Sequence, residues 1–234
     1  MRKAHFVFLL IFFSTLNFAQ SKFRIGIVAG PNYATLWGPR VPENIEPTYG
    51  FLVGGSVNYQ LNKSFSLDAS LTYERKAADY IVKQSFNLFD FNGLYQDVYY
   101  TSTTHNKYSY LAIPVVLRFQ FGKNKTWFVN GGGFMAFMLG DDSKTRFSDK
   151  SAADYDPDPS AYNFTLANRF HNFDYGVSFG FGKSFRLDDK NSLSIELKDN
   201  MGLANRVRNV KVNGTRGDIR TDAVSLILGW SFGL

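Results

Sequence analysis

The sequence predicts an all-β protein, an eight-stranded antiparallel up-and-down transmembrane β-barrel. Eight segments alternate apolar and polar residues with a period of two, the pattern of strands that have one apolar face. Short turns and long polar loops alternate between these segments, as they do in outer-membrane barrels. After position 20 no apolar run approaches the roughly 20 residues that a membrane-spanning helix needs.

The N-terminus has the features of a secretory signal peptide. Arg2 and Lys3 precede a short apolar core at residues 6–13, which predicts a signal peptide over residues 1–19 and a barrel domain over residues 20–234. The alternative is an N-terminal membrane anchor. The chain contains no cysteine, which excludes disulfides and lipid attachment through a thiol. Its formal charge of +6 is spread among acidic residues, which argues against nucleic acid as a partner.

The first four strands are expected at residues 22–33, 49–61, 65–76 and 108–121. The third strand shows which face is which, because Leu67, Leu71 and Tyr73 alternate with Asp68, Glu74 and Lys76. A basic side chain that faces lipid at the bilayer midplane costs about 2–4 kcal/mol. The apolar face should therefore point outward and the charged face should line the interior.

The remaining strands are expected at residues 127–139, 173–185, 192–203 and 223–234. The segment 127–139 is apolar on both faces, so the alternation does not give its orientation. Its three consecutive glycines, Gly131 to Gly133, indicate a bend or a close approach to a neighbouring strand. Short turns at residues 62–64, 122–125 and 186–191 place both termini in the periplasm, and the loops at 34–48, 77–107, 140–172 and 205–221 then face outward.

The inward faces carry four basic and four acidic residues. An eight-stranded barrel has just enough interior space for its own side chains, and buried charges are tolerated when they are paired. The sequence therefore predicts an interior network that closes the lumen; the alternative is a narrow polar path or a proton-linked site. The predicted network comprises Arg24, Asp68, Glu74, Lys76, Arg118, Asp174, Glu196 and Lys198.

Candidate catalytic and metal-binding groups lack a diagnostic spacing. His105 with Ser102, or His171 with Asp174 and Ser178, would supply a nucleophile and a base. The acidic segment 154–158 alternates carboxylates, as calcium loops do, but lacks the glycine and the terminal glutamate of such loops. We therefore expect no catalysis, no bound metal and no cofactor.

The second long loop is unusually aromatic for a solvated segment. One interpretation is that the third and fourth strands continue above the membrane as a hairpin. The other is a docking surface for a partner, because clustered exposed aromatic residues mark interfaces. The residues concerned are Phe86, Phe89, Phe91, Tyr95, Tyr99 and Tyr100.

Five short motifs resemble the PorT-like family of outer-membrane β-barrels. They are Gly26-Ile-Val-Ala-Gly-Pro-Asn32, Leu71-Thr-Tyr-Glu-Arg75, Tyr110-Leu-Ala-Ile-Pro-Val-Val-Leu117, Phe173-Asp-Tyr-Gly-Val177 and Leu228-Gly-Trp-Ser-Phe232. The chain departs from the family pattern at Ala112, where an acid is common, and in extending beyond Phe232. The resemblance implies a barrel in the outer membrane of a Gram-negative bacterium with a structural or interaction role.

The resemblance also implies partners. These are outer-membrane lipid, the barrel-assembly machinery during biogenesis, and another outer-membrane or secretion-system protein. Some PorT-like barrels belong to a secretion and gliding apparatus, which is the alternative role; a lipid-modifying enzyme is a third. Either Phe232 or Leu234 would supply the C-terminal signal that the assembly machinery reads.

Overall fold

A computed structural model describes residues 22–39, 41, 44–89, 95–147, 171–206, 211–212, 215–216 and 218–234. The expected signal peptide, the acidic segment 154–158 and Phe91 lie outside these residues. Among the described residues, no helix is long and apolar enough to cross a membrane.

Eight antiparallel strands form a closed barrel, which confirms the predicted fold class. The strands are β1 (Phe23–Trp37), β2 (Ile45–Gln60), β3 (Phe65–Phe89), β4 (Tyr95–Phe121), β5 (Trp127–Phe147), β6 (Phe173–Arg186), β7 (Asn191–Gly202) and β10 (Arg220–Gly233). The two-residue strands β8 (Lys211–Val212) and β9 (Thr215–Arg216) pair only with each other. Each barrel strand pairs with its neighbour in the chain.

The last strand closes the barrel against the first, as the sequence predicts. β1 and β10 are paired from Arg24↔Gly233 to Trp37↔Arg220. The Leu234 amide also donates a hydrogen bond of 3.1 Å to the Phe23 carbonyl. A closed ring leaves no strand edge unpaired in hydrocarbon, where an unsatisfied backbone group costs several kcal/mol.

An apolar belt surrounds the outside of the barrel. Aromatic pairs lie at both of its edges, in the arrangement of the aromatic girdles of membrane barrels. At the end with the short turns, called the turn end, Trp127 stacks on Phe181 with ring centroids 5.4 Å apart. At the opposite end, called the loop end, the Tyr33 and Tyr49 rings are 5.1 Å apart. The outward direction of the apolar faces is thereby confirmed.

Three strands are much longer than predicted, and this corrects the boundaries of two loops. β3 and β4 stay paired up to Phe89↔Tyr95, so most of the expected loop 77–107 is a hairpin, and β5 continues to Phe147. At about 3.4 Å per residue, 25 residues span roughly 85 Å, far more than the ~25 Å apolar band even when tilted. Above the belt the outward face no longer meets lipid, and the buried inward residues Ser102, Thr104 and Asn106 are polar. The alternation of apolar and polar residues that identifies the membrane-spanning part of each strand is therefore lost.

The orientation of β5, which the sequence left open, follows from its neighbour β6. Phe128 and Phe134 face inward and are buried, whereas Val129 and Met135 face outward. Each inward ring lies opposite a glycine of β6, in the pairs Phe128↔Gly182 and Phe134↔Gly176, and a Cβ at either glycine would collide with that ring. Gly132 is a close approach rather than a bend, because a Cβ there would meet the Val115 carbonyl of β4.

This orientation of β5 predicts a depth-dependent cost for outward arginines. Met135 is 47% exposed within the belt and Leu139 is 59% exposed at its upper edge. Met135→Arg should lower the free energy of unfolding in phospholipid vesicles by about 2–4 kcal/mol, and Leu139→Arg by only about 0–1 kcal/mol. Equal costs in urea titrations of the two variants would contradict the assigned face and depth.

Candidate functional site: the polar interior

The middle of the lumen is organised around Arg118 on β4. Its Nη2 lies 2.7 Å from an Asp68 carboxylate oxygen and 3.6 Å from a Glu196 carboxylate oxygen. The guanidinium carbon lies 4.0 Å from the centre of the Phe128 ring. One arginine therefore bridges carboxylates from β3 and β7 across the barrel while an aromatic ring covers its face.

Glu196 is the most heavily paired acid of this middle group. Lys198 Nζ lies 3.3 Å from its Oε1, and Asn130 donates a hydrogen bond of 2.9 Å to the same oxygen. Asn58 donates a short hydrogen bond to Asp68. The charges of the two acids and the two bases in this middle group therefore balance, and side-chain amides from β2 and β5 donate further hydrogen bonds to the acids.

A second group lies nearer the loop end, on β3 and β7. Lys76 Nζ is 3.9 Å from the Glu74 carboxylate and lies 5.4 Å and 5.2 Å from the Tyr110 and Phe134 ring centres. Asn200 donates to Glu74 at 3.4 Å. Both charged side chains are only 4% exposed, so aromatic faces and an amide replace the water that these charges lose.

Arg206 closes the lumen at the loop end. It follows β7 outside any strand and is completely buried. Its two terminal nitrogens donate to the Phe173 carbonyl at 2.5 Å and to the Tyr110 hydroxyl at 3.2 Å, and its Nε lies 4.0 Å from the Asp174 carboxylate. Thr221 donates to the same carboxylate at 2.7 Å. The guanidinium is therefore held by residues of β4 and β6, and β10 contributes a hydrogen bond to its acidic partner.

An apolar layer surrounds this guanidinium. The buried residues of this layer come from β1, β3, β4, β5 and the segment that leads into β10. The Arg206 backbone is held in place as well, since its amide donates to the Ile219 carbonyl and its carbonyl accepts from the His171 amide, both at 2.7 Å. The layer comprises Leu36, Ala78, Tyr108, Tyr110, Ala112, Phe134, Ala136 and Ile219.

The turn end of the lumen is open. A cavity of about 1410 Å³ extends from the turns to the level of Glu74 and Asn200. Arg24 lies at its mouth, where it donates to the Lys190 carbonyl at 2.7 Å and to the Ser192 hydroxyl at 3.0 Å. The interior is therefore a vestibule that opens at the turn end and is closed at the loop end.

The structure places the eight predicted network residues in four separate positions. Asp68, Arg118, Glu196 and Lys198 form the middle group, Glu74 and Lys76 form the second, and Asp174 joins Arg206. Arg24 stands apart at the mouth and contacts none of the predicted acids. Arg206 is absent from the prediction because a residue outside the alternating segments carries no periodic signal that marks it as inward.

Neither histidine constellation is assembled. His105 faces outward on β4, where its Nδ1 lies 2.8 Å from the Asp79 carboxylate, whereas the buried Ser102 lies on the opposite face of the same strand. His171 is exposed, while Asp174 binds Thr221 and Ser178 donates to Asn200. Within the described part of the chain, no group of three or more His, Asp or Glu side chains is arranged to hold a metal ion.

A family profile agrees with this architecture. Residues 18–207 match the profile of a family described as outer membrane protein beta-barrel domain. Among solved structures, Ail of Yersinia pestis is similar at 10% identity over 90% of this chain and 99% of Ail, with a TM-score of 0.37. OprG of Pseudomonas aeruginosa is similar at 9% identity over 92% of this chain and 97% of OprG, with a TM-score of 0.42. A comparison with curated sequences finds no match.

The middle group predicts unequal costs for removing two lumen arginines. Arg118→Met leaves Asp68 and Glu196 without their shared cation, so it should lower the free energy of unfolding by about 3–5 kcal/mol. Arg24→Met removes a cation at the open mouth and should cost about 0–1 kcal/mol. Urea unfolding in vesicles measures both. Similar values for the two variants would show that Arg118 is not the centre of the interior.

Proposed function

The chain belongs to the family of outer membrane protein β-barrel domains, and on that basis we propose that it is a non-catalytic structural or interaction protein of the outer membrane. Its lumen does not conduct, and its working surface is the part that projects from the loop end. The motif resemblance supports a place among the PorT-like barrels of this family.

The observation that carries this proposal is the closure around Arg206. A conducting barrel needs a continuous aqueous path, whereas here a fully buried guanidinium and an apolar layer fill the cross-section at one end. Moving Arg206 away without admitting water would leave the buried Asp174 carboxylate without its cation, which is strongly unfavourable. The fold therefore favours the closed state.

The proposed orientation puts the turn end in the periplasm and the loop end outside the cell. Barrels of this class have short periplasmic turns and long external loops, and the described turns between β2 and β3, β4 and β5, and β6 and β7 are all short and at one end. The vestibule then opens toward the periplasm. The long hairpin of β3 and β4 projects outward.

That hairpin is the proposed interaction element. The β3–β4 ladder continues for thirteen residue pairs beyond Lys76↔Tyr108, to Phe89↔Tyr95. Paired strands form a stiff surface that is already ordered before a partner binds. Binding to this hairpin therefore costs less conformational entropy than binding to a flexible loop would. Its tip carries the aromatic residues Phe86, Phe89, Tyr95, Tyr99 and Tyr100, the residue types enriched in protein interfaces.

The closed lumen predicts no channel activity. Purified wild-type protein in planar lipid bilayers should show no stable, reproducible conductance. Removing both the guanidinium and its phenol partner, in Arg206→Ala with Tyr110→Ala, should produce a small steady conductance if the folded band survives on unheated gels. The control is Arg220→Ala, because Arg220 pairs with Asp218 at the rim and its loss should open nothing. A wild-type channel of porin size would refute the proposal.

The hairpin predicts separable folding and binding. Residues 84–100 lie beyond Lys83↔Thr101, so replacing them with an Asn-Gly turn shortens the hairpin without changing its register. The variant should retain the heat-modifiable folded band and lose the partner that the full chain captures from native membranes after crosslinking. Capture of the same partner by the shortened chain would remove the hairpin from the interaction surface.

A further inference from the structure

The outer face of β3, β4 and β5 changes character just above the apolar belt. The highest apolar row across the three strands is Tyr73, Leu111 and Phe137, which are paired in register. Two residues further along, about 7 Å in a strand, Arg75 follows Tyr73 on the same face. Lys107, Lys144 and Arg146 occupy the rows above. The four cations occupy four successive rows, one to each row, and the first of these rows adjoins the apolar belt.

The acids on this face leave an excess of positive charge. Asp142 lies 3.7 Å from Arg75, and Asp79 accepts its contact from His105. Lys107, Lys144 and Arg146 form no ion pair with any described carboxylate. We call these three cations with Arg75 the basic face.

The basic face surrounds a shallow depression next to the belt. Its volume is about 280 Å³, and its walls include Lys107, Lys144 and Arg146 together with Tyr49, His105 and the two acids Asp79 and Asp142, which already have basic partners. Tyr49 is 77% exposed and packs against Tyr33 at the upper edge of the belt. The depression is thus bordered by cations above and by an aromatic ring at the level of the membrane interface.

On the far side of the barrel, β7 and β10 each carry an outward acidic residue. Directly paired residues share a face, and Asp199 and Asp222 pair with the outward Val224 and Met201. Two carboxylates therefore face outward on β7 and β10, whereas the outward face of β3 to β5 carries the four cations.

We propose that the basic face binds the phosphate groups of a glycolipid in the outer leaflet, with the acyl chains of that lipid lying on the apolar rows below. Lys and Arg make charge-assisted hydrogen bonds to phosphate, and cations at a membrane surface attract anionic lipid. A lipid fits this surface better than a protein partner does, because a lipid has a charged headgroup next to apolar chains, as the surface has a charged row next to apolar rows. This inference rests on the proposed outward orientation of the loop end.

The test measures binding of bis-phosphorylated lipid A to the full barrel in phosphatidylcholine nanodiscs by native mass spectrometry. The triple variant K107Q/K144Q/R146Q should bind roughly 100-fold more weakly, at about fivefold for each cation lost. The matched control K63Q/K123Q/K190Q removes three cations at the turn end and should stay within about threefold of wild type. Lipid A without phosphates should bind wild type and the triple variant equally weakly.

Three outcomes overturn the inference. Unchanged binding by the folded triple variant is the first, and an equal loss in the turn-end control, which would indicate non-specific attraction, is the second. Displacement of lipid A by low millimolar inorganic phosphate is the third, because it would indicate a simple anion site.

A separate experiment tests whether the loop end faces the outside of the cell, the orientation on which the inference rests. The chain has no cysteine, so Thr103→Cys on the outward face of β4 supplies a single label site. A membrane-impermeant maleimide should label it on intact cells. Failure to label would refute the orientation while leaving the nanodisc result to decide whether the basic face binds phosphate.

Discussion

Charge compensation inside a narrow lumen is the constraint on which the rest of the structure depends. Because side chains alternate between faces, a shift of one residue in any strand would turn its inward charges into lipid. Arg118 bridges Asp68 and Glu196 across the barrel, so a slip in β3 or β7 would also break one of these ion pairs, and a slip in β4 would break both. The polar interior therefore sets the register of the apolar exterior.

Much of the fold is readable from the sequence because the membrane imposes different solvents on the two faces. Strands β6, β7 and β10 follow the alternation closely. The prediction of strand boundaries fails where the two faces no longer meet different solvents. β3 and β4 continue beyond the belt, where Thr101 to Thr104 meet water on the outside and other polar groups on the inside. β5 was ambiguous because Phe128 and Phe134 fill the lumen against glycines of β6, so both its faces are apolar.

The interior was predictable as a set of residues and less so as an arrangement. Alternation identifies which side chains point inward, and Arg118 with its two acids follows from it. It does not give height along the barrel axis, which separates Arg24 at the mouth from the groups deeper inside. Arg206 required the tertiary structure, since a loop residue becomes a lumen residue only through the path of the chain after β7.

The pairing of β1 with β10 also has a kinetic consequence. The other neighbouring strands are joined by hairpins, so their contacts form between nearby parts of the chain and arise early. Ile27 and Trp230 are partners about 200 positions apart, and their meeting has to wait for the intervening strands. Until then a curved open sheet exposes two long unpaired edges, the species most prone to misassembly. We expect this last union to limit the rate of folding, and an assembly factor that shields the two edges would act at that stage.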